Sequence, residues 1–356
     1  LRGRSRMGRL EFRLPSYTVV GAGALGELPE VISALGCREA LIVTDQTVRR
    51  LYGERVVRGL AEAGVNARLY VISASNMDNV EAARRVRAEQ GACAIVGMGG
   101  GRSIDVGKYA AYLEGRPFVS VPTAISHDGF ASPIVSLKDR EMNPVSLFTR
   151  PPDAVVVDTE VLAGAPRRLL ASGVGDLVGK VTSVADARLA RLFKAEEVPA
   201  LALEMAESAA EIVLGNIGEI AAWSERGLRL LAEAGLLAGS AMSVAGSSRP
   251  CSGSEHLFSH AVDKVYPERR SLHGEQVGVG TIMMAYLHRM DWERIREALR
   301  AVGAPTNAAG LGVPEEKIVE ALTVAHTLRK RFTVLGEGGL TREAAERLAR
   351  ATGVIG

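Results

Sequence analysis

Residues 92–113 read ACAIVGMGGGRSIDVGKYAAYL: a short apolar run, three consecutive glycines, then a helix-like segment rich in small residues. An apolar run of this length bounded by glycines suits a strand buried on both faces, as in a parallel sheet. The glycines let the backbone turn sharply and bring its amides close to a ligand, and a helix starting there directs its positive end at the same point. A tight strand-to-helix turn seldom needs three glycines in a row, so residues 98–105 are read as a phosphate-binding loop.

Further short Val/Ile-rich runs lie on either side: YTVVG, ALIVTD and ARLYVI before, PFVSVPT and DAVVVD after. Between the earlier ones stand the helix-like stretches ELPEVISALG, VRRLYGERVVRGLAEAG and NVEAARRVRAEQG. This alternation predicts a parallel sheet covered by helices up to about residue 160. From Glu160 onward, segments such as PALALEMAESAAEIVLGNIGEIAAW and EKIVEALTVAHTLRKRF carry apolar residues at helical spacing, with no comparable strand runs. The expected fold class is therefore α/β plus all-α, with a dinucleotide-binding domain over 1–160 and an all-helical domain over 161–356. A cleft between the two is the natural ligand site.

A second glycine motif competes for the phosphate. GAGALG at 21–26 satisfies G-x-G-x-x-G after a strand-like run, and Asp45 stands where a ribose-binding acid would be expected. A third candidate, Val106-Gly107-Lys108, fails as a Walker motif because Arg102 replaces its first glycine and Tyr109 its hydroxyl residue. VPTAISHDGFASP at 121–133 is dense in hydroxyls and small residues after a strand, with His127 and Asp128 as its ionisable members. A loop at the carboxyl end of a parallel strand lies where such sheets bind ligands.

The second domain's chemistry gathers at residues 252–276, SGSEHLFSHAVDKVYPERRSLHGEQ, which hold three of the six histidines. His256 and His260 are four apart, so a helix presents both on one face. His273 follows a polar connector that could turn its ring back toward them. H-E-x-x-H is absent, since Leu257 follows His256. A carboxylate to complete a divalent site is best sought at Asp176, in ASGVGDLVGK, which would otherwise serve as a helix N-cap.

The 43 basic and 41 acidic residues of the 356 nearly cancel, giving no reason to expect nucleic acid or an anionic membrane as partner. No long unbroken apolar run suggests a span or signal peptide, and the basic residues 1–9 read as a loose start. Cys37, Cys93 and Cys251, widely spaced, suit a reducing cytoplasm without a disulfide framework.

GGGRSIDVGK, VPTAISHDGFASP, SGVGD, GSSRPCSGSEHLFSH and HGEQVG, in this order, resemble the sn-glycerol-1-phosphate dehydrogenases of archaea. That family is similar in turn to glycerol dehydrogenases, iron-dependent alcohol dehydrogenases and dehydroquinate synthases. The resemblance spans nearly the whole chain and implies a Rossmann-like domain followed by a helical one, the dehydroquinate synthase-like fold. It implies NAD(H) or NADP(H) at Gly101, Arg102, Ser103, Ile104 and Asp105, with Thr123, Ala124, Ile125, Ser126 and Ser132 also contacting it. Zinc is implied at Asp176, His256 and His273. Asp128, Asp176 and His260 then contact substrate, with Asp128 and His260 the catalytic candidates. GAGALG becomes a structural turn. One departure is TDQTV at 44–48, where a second glycine-bearing turn is expected.

The implied reaction is reversible reduction of dihydroxyacetone phosphate to sn-glycerol 1-phosphate for archaeal phospholipid backbones, in the cytoplasm, by a homo-oligomer. Arg249 and Ser252 are candidates for the substrate phosphate, and Asp45, Arg49 and Arg50 for coenzyme choice. A glycerol dehydrogenase would need no phosphate pocket. A dehydroquinate synthase would resemble a Glu/His/His set with several lysines.

Overall fold

The computed structural model describes residues 9–141 and 144–356. Apart from Arg9, the expected loose start lies outside them. Two compact units follow one another, the first ending at Ala165 and the second running from Pro166 to Gly356.

In the first unit the six Val/Ile-rich runs form β1 (Tyr17–Gly21), β2 (Glu39–Asp45), β3 (Asn66–Ile72), β4 (Ala94–Gly99), β5 (Phe118–Pro122) and, after β6 (Ile134–Lys138) and β7 (Pro144–Phe148), β8 (Ala154–Asp158). They make one six-stranded sheet in the order β1-β8-β5-β4-β2-β3, and every pairing is parallel. Helices α1 (Leu28–Ala34), α2 (Gln46–Val48), α3 (Glu54–Glu62), α4 (Met77–Gln90), α5 (Gly101–Leu113) and α6 (Thr159–Ala163) complete the unit. Alternate strand residues, including Ile42, Val96, Met98, Val121 and Val156, pack with Leu28, Ile32 and Leu60 in one apolar cluster. Each such buried aliphatic contributes about 1.5–3 kcal/mol.

The chain runs from β2 out to β3 at the sheet edge and returns to β4 on the other side of β2. This is a topological switch, and the crevice at the carboxyl ends of β2 and β4 is the place such sheets offer a ligand. The residues there are Asp45 and Gly99. β6 and β7, which follow the loop read at 121–133, form a separate antiparallel pair that the sequence reading did not anticipate. Their alternation is short, and only Val135 and Leu137 are buried.

Cys37 and Cys93 form a disulfide with their Cα atoms 5.5 Å apart, which corrects the expectation of a chain without one. The cause is sheet geometry. β2 and β4 are neighbours, and Cys93 N donates to Glu39 O at 3.0 Å. Residues 56 apart in sequence thereby face each other. Cys251 is buried, and its thiol donates to Ala238 O at 3.3 Å.

Among its described residues the second unit has helices and no strands. It comprises α7 (Arg167–Val178), α8 (Lys180–Lys194), α9 (Ala200–Gly215), α10 (Ile217–Ala221), α11 (Glu225–Ala245), α12 (Ser254–Val265), α13 (His273–Leu287), α14 (Trp292–Ala301), α15 (Ala308–Leu311), α16 (Glu315–Val324) and α17 (Arg342–Ala351). α11 is long and apolar enough to cross a membrane by length and composition, but 61% of its most apolar stretch is buried. It packs along α9, as the core helix of a bundle does.

Candidate active site

α7, α12 and α13 bring Asp176, His256 and His273 together, with one ligand atom of each lying within 4.8 Å of the others. His256 Nε2 is 3.4 Å and His273 Nε2 3.8 Å from Asp176 Oδ1. The other nitrogen of each ring is already engaged: His256 Nδ1 meets Glu255 Oε1 at 2.8 Å, and His273 Nδ1 meets Ser259 Oγ at 3.1 Å. Partners of this kind fix ring orientation and leave the facing Nε2 for a cation. One carboxylate oxygen and two imidazole nitrogens are the donors that zinc or ferrous iron takes with positions left open. The donor set therefore fits a divalent metal.

The electrostatics agree. Burial alone would raise the Asp176 carboxyl, but Lys180 and both imidazoles outweigh it and hold it well below the usual carboxylate range. Lys180 Nζ lies 3.1 Å from Asp176 Oδ2 and donates to the Cys251 carbonyl. Burial would lower His256, yet Asp176 and Glu255 keep it above its ordinary value. A metal and that proton compete for one nitrogen. Lys180 escaped the sequence reading, although its position one helical turn after Asp176 was a usable signal.

Asp176 does not cap a helix. It lies near the end of α7, and Gly173 and Gly175 are inside the helix, where each costs about 1 kcal/mol relative to Ala. The neighbouring helix explains Gly175: a Cβ on it would stand 2.2 Å from Gly274 O, and one on Gly274 would stand 1.9 Å from Ser172 O. α7 and α13 thus touch backbone to backbone, which sets Asp176 beside His273. Gly280 does the same for α12, since a Cβ there would meet Phe258 at 2.9 Å and Glu255 O at 3.0 Å.

His260 is one turn beyond His256, with its ring centroid 6.0 Å from that of His273. Arg329 Nη2 lies 3.3 Å from its Nε2. Arginine has only donors, so this nitrogen accepts and the ring proton sits on Nδ1. Burial first, and then the charges of Arg329, His256 and Arg331, push His260 down to about 3, so the ring is neutral. Arg249, expected near a phosphate, is a buried strut instead. It bonds Glu196 at 2.9 Å, Asp186 O at 3.1 Å and Phe332 O at 2.6 Å. Ser252 is 7% exposed, and its carbonyl accepts from Arg331.

In the first unit α5 starts at Gly101 with no side-chain cap, leaving its first amides for a ligand. Gly99 has φ 149°, and a Cβ there would lie 2.8 Å from Ser103 Oγ and 3.6 Å from Asp45 Oδ2. Arg102 is exposed, whereas Ser103, Ile104 and Asp105 turn their side chains inward. Asp105 Oδ2 accepts from Ser136 N at 3.0 Å, and Ser103 Oγ is buried without a hydrogen-bond partner among the described residues. Of the following loop, Thr123, Ser126 and Asp128 are half-buried, while Ala124, Ile125 and Ser132 are buried. His127 stands over the helix start: a Cβ on Gly101 would be 2.5 Å from its Nε2. Lys108, dismissed as a Walker lysine, ties this loop down by donating to Gly129 O, Ser132 O and Ile134 O at 2.6, 2.8 and 3.0 Å.

The amides of GAGALG are already used. Asp158 accepts from Gly23 N at 3.2 Å and from Leu25 N at 2.9 Å, so a carboxylate of the protein stands where a pyrophosphate would need those donors. Asp45 caps α2 through Thr47 N and Val48 N, which supplies the turn that the missing glycine would have made.

A switch-point nucleotide crevice on a parallel sheet, and a carboxylate–imidazole cluster on a helical unit, define a nucleotide-dependent oxidoreductase of the metal-assisted kind. The family described as "Iron-containing alcohol dehydrogenase" matches residues 19–166. Over 341 residues, 96% of this chain and 98% of the relative, the sequence is 60% identical to a glycerol-1-phosphate dehydrogenase [NAD(P)+] of Thermofilum pendens. It is 46% identical over 345 residues to that of Aeropyrum pernix, covering 96% and 97% of the two chains. The fold is that of the glycerol dehydrogenase of Schizosaccharomyces pombe, with a TM-score of 0.80 over 97% of this chain and 90% of that one at 19% identity. The chain belongs to the glycerol-1-phosphate dehydrogenase family of NAD(P)-dependent oxidoreductases.

Proposed function

We propose that this protein catalyses the NAD(P)H- and zinc-dependent, reversible reduction of dihydroxyacetone phosphate to sn-glycerol 1-phosphate, the backbone of archaeal membrane phospholipids. The observation that carries this is full-length similarity at 60% identity to a relative of that activity, in a chain whose Asp176, His256 and His273 converge. When bound, zinc supplies a Lewis acid for the C2 carbonyl and the coenzyme supplies the hydride.

The chain's own residues prepare the site. Glu255 and Ser259 orient the two ligand rings, and Lys180 fixes the second oxygen of Asp176. His260 accepts from Arg329 at Nε2 and so keeps its proton on Nδ1, where the neutral ring can offer the substrate oxygen a hydrogen bond. The uncapped start of α5 takes the coenzyme pyrophosphate, with Gly101, Arg102 and Ser103 offering amides. Ile104 and Asp105 contribute through the backbone, since their side chains face inward. Thr123, Ala124, Ile125, Ser126 and Ser132 form the adjoining wall, and Asp128 contacts substrate. We place Asp45 at the adenosine ribose, with Arg49 and Arg50 exposed beyond it, so both coenzymes are accepted. The enzyme works in the cytoplasm as a homo-oligomer on a small-molecule substrate.

The test is oxidation of NADH and NADPH with dihydroxyacetone phosphate, followed by chiral analysis of the product. Formation of the sn-1 enantiomer is expected, and His273→Ala is expected to lose zinc and turnover together. The sn-3 product, or a fully active zinc-free His273→Ala enzyme, would overturn the assignment.

A further inference from the structure

A basic cleft of about 460 Å³ opens in the helical unit, lined by Lys194, Arg329, Lys330 and Arg331 with Glu196 and Glu337. Both acids are already paired, Glu196 with Arg249 and Glu337 with Lys194. The field in the cleft is therefore set by the remaining cations. Their segment is firmly held. Val334 N donates to Asp186 Oδ1 at 2.6 Å, Phe332 O accepts from Arg249, and Arg331 reaches Ser248 Oγ at 3.0 Å and the Ser252 carbonyl.

Arg329 differs from its neighbours. Its hydrogen bond is to a neutral imidazole, His260 Nε2, and among the described residues no carboxylate pairs with it. A half-buried guanidinium without a counter-ion is costly, and a dianion that meets its planar fork is the natural complement. We propose that Arg329 binds the phosphate of the substrate. The inference rests on the reaction given above and adds the group that distinguishes a phosphorylated from a free triose.

Position supports the choice. The His260 ring that Arg329 touches is next to His273, with centroids 6.0 Å apart. One carbon and one oxygen separate the substrate's carbonyl carbon from phosphorus, so an anion site must lie about one side chain from the metal ligands. Arg249 cannot serve, because the residue is 2% exposed and its guanidinium is committed to Glu196 and two carbonyls. Arg331, bonded to Ser248 and Ser252, holds the wall and adds charge.

The test compares wild type, Arg329→Met and Arg329→Lys, all zinc-loaded. It measures kcat/KM with dihydroxyacetone phosphate and with dihydroxyacetone, KM for both coenzymes, and calorimetric binding of inorganic phosphate without coenzyme. Arg329→Met is expected to lower kcat/KM for the phosphate ester by about 10²-fold, the size of a lost charge-assisted hydrogen bond. The loss with dihydroxyacetone should be much smaller, Arg329→Lys should recover part of the ester activity, and phosphate binding should weaken in step. Equal loss with both trioses would confine Arg329 to holding His260, and a raised coenzyme KM would assign it to the coenzyme's phosphates. Either result overturns the proposal. If wild type does not reduce dihydroxyacetone phosphate at all, the parent reading fails. Phosphate binding then decides this one: binding that is equal in wild type and Arg329→Met removes it.

Discussion

At Gly100 and Gly101 the same substitution asks different questions. Gly100 has φ −78° and ψ −175°, an extended conformation open to any residue, and a Cβ there meets nothing within 4 Å. Gly100→Val is therefore expected to fold normally and to raise the KM for NADH by about tenfold or more, by filling the space before the α5 amides. An unchanged KM in the folded variant would remove this loop from the coenzyme site. Gly101→Val is a poorer probe, because its side chain would first collide with His127 Nε2. Gly23 is the control in the rival motif. Its φ of 74° makes Gly23→Ala cost about 1–2 kcal/mol, but its amide serves Asp158, so coenzyme KM should hold. Asp158 is where the sequence misled on pattern alone: it lies 135 residues after Gly23, and only strand pairing of β1 with β8 puts its carboxylate on those amides.

At the scale of elements, the metal cluster depends on how closely helices approach. α7 and α13 meet at Gly175, Gly274 and Gly278, and a methyl group at Gly274 has a carbonyl oxygen 1.9 Å away. Rigid backbone cannot step aside as a side chain would, so the helices must separate. Gly274→Ala is expected to cost about 1–3 kcal/mol and, more tellingly, to lower zinc per folded chain by moving His273 off Asp176. Metal content by elemental analysis, with helicity by circular dichroism, checks it. Full zinc occupancy would show that the crossing does not set the cluster. The glycines of SGVGD and HGEQVG were visible in the sequence, but their purpose was not. A glycine that frees a turn and one that admits a neighbouring helix look alike until the neighbour is known.

For the molecule as a whole, the Cys37–Cys93 bond ties the starts of β2 and β4 across 56 residues. A cross-link of that span removes chain entropy worth about 4 kcal/mol from the unfolded state. Cys93→Ser is expected to lower the unfolding temperature of the first unit without changing zinc content. Equal stability of the two proteins, with free thiols at both positions in the untreated one, would mean that the bond is not formed. The sequence by itself determined the six strands, the helical second half, the α5 loop and the histidine pair four apart. Each is written in local periodicity or spacing, which short stretches specify without help. Only tertiary structure decided which glycine motif keeps its amides free, that Asp176 sits late in its helix beside Lys180, that two distant cysteines meet, and that Arg329 rather than Arg249 stands without a counter-ion. Each of those depends on groups tens to more than a hundred residues apart or on the turn of a helix. Such contacts follow from sheet order and helix crossing, and no window of sequence contains them.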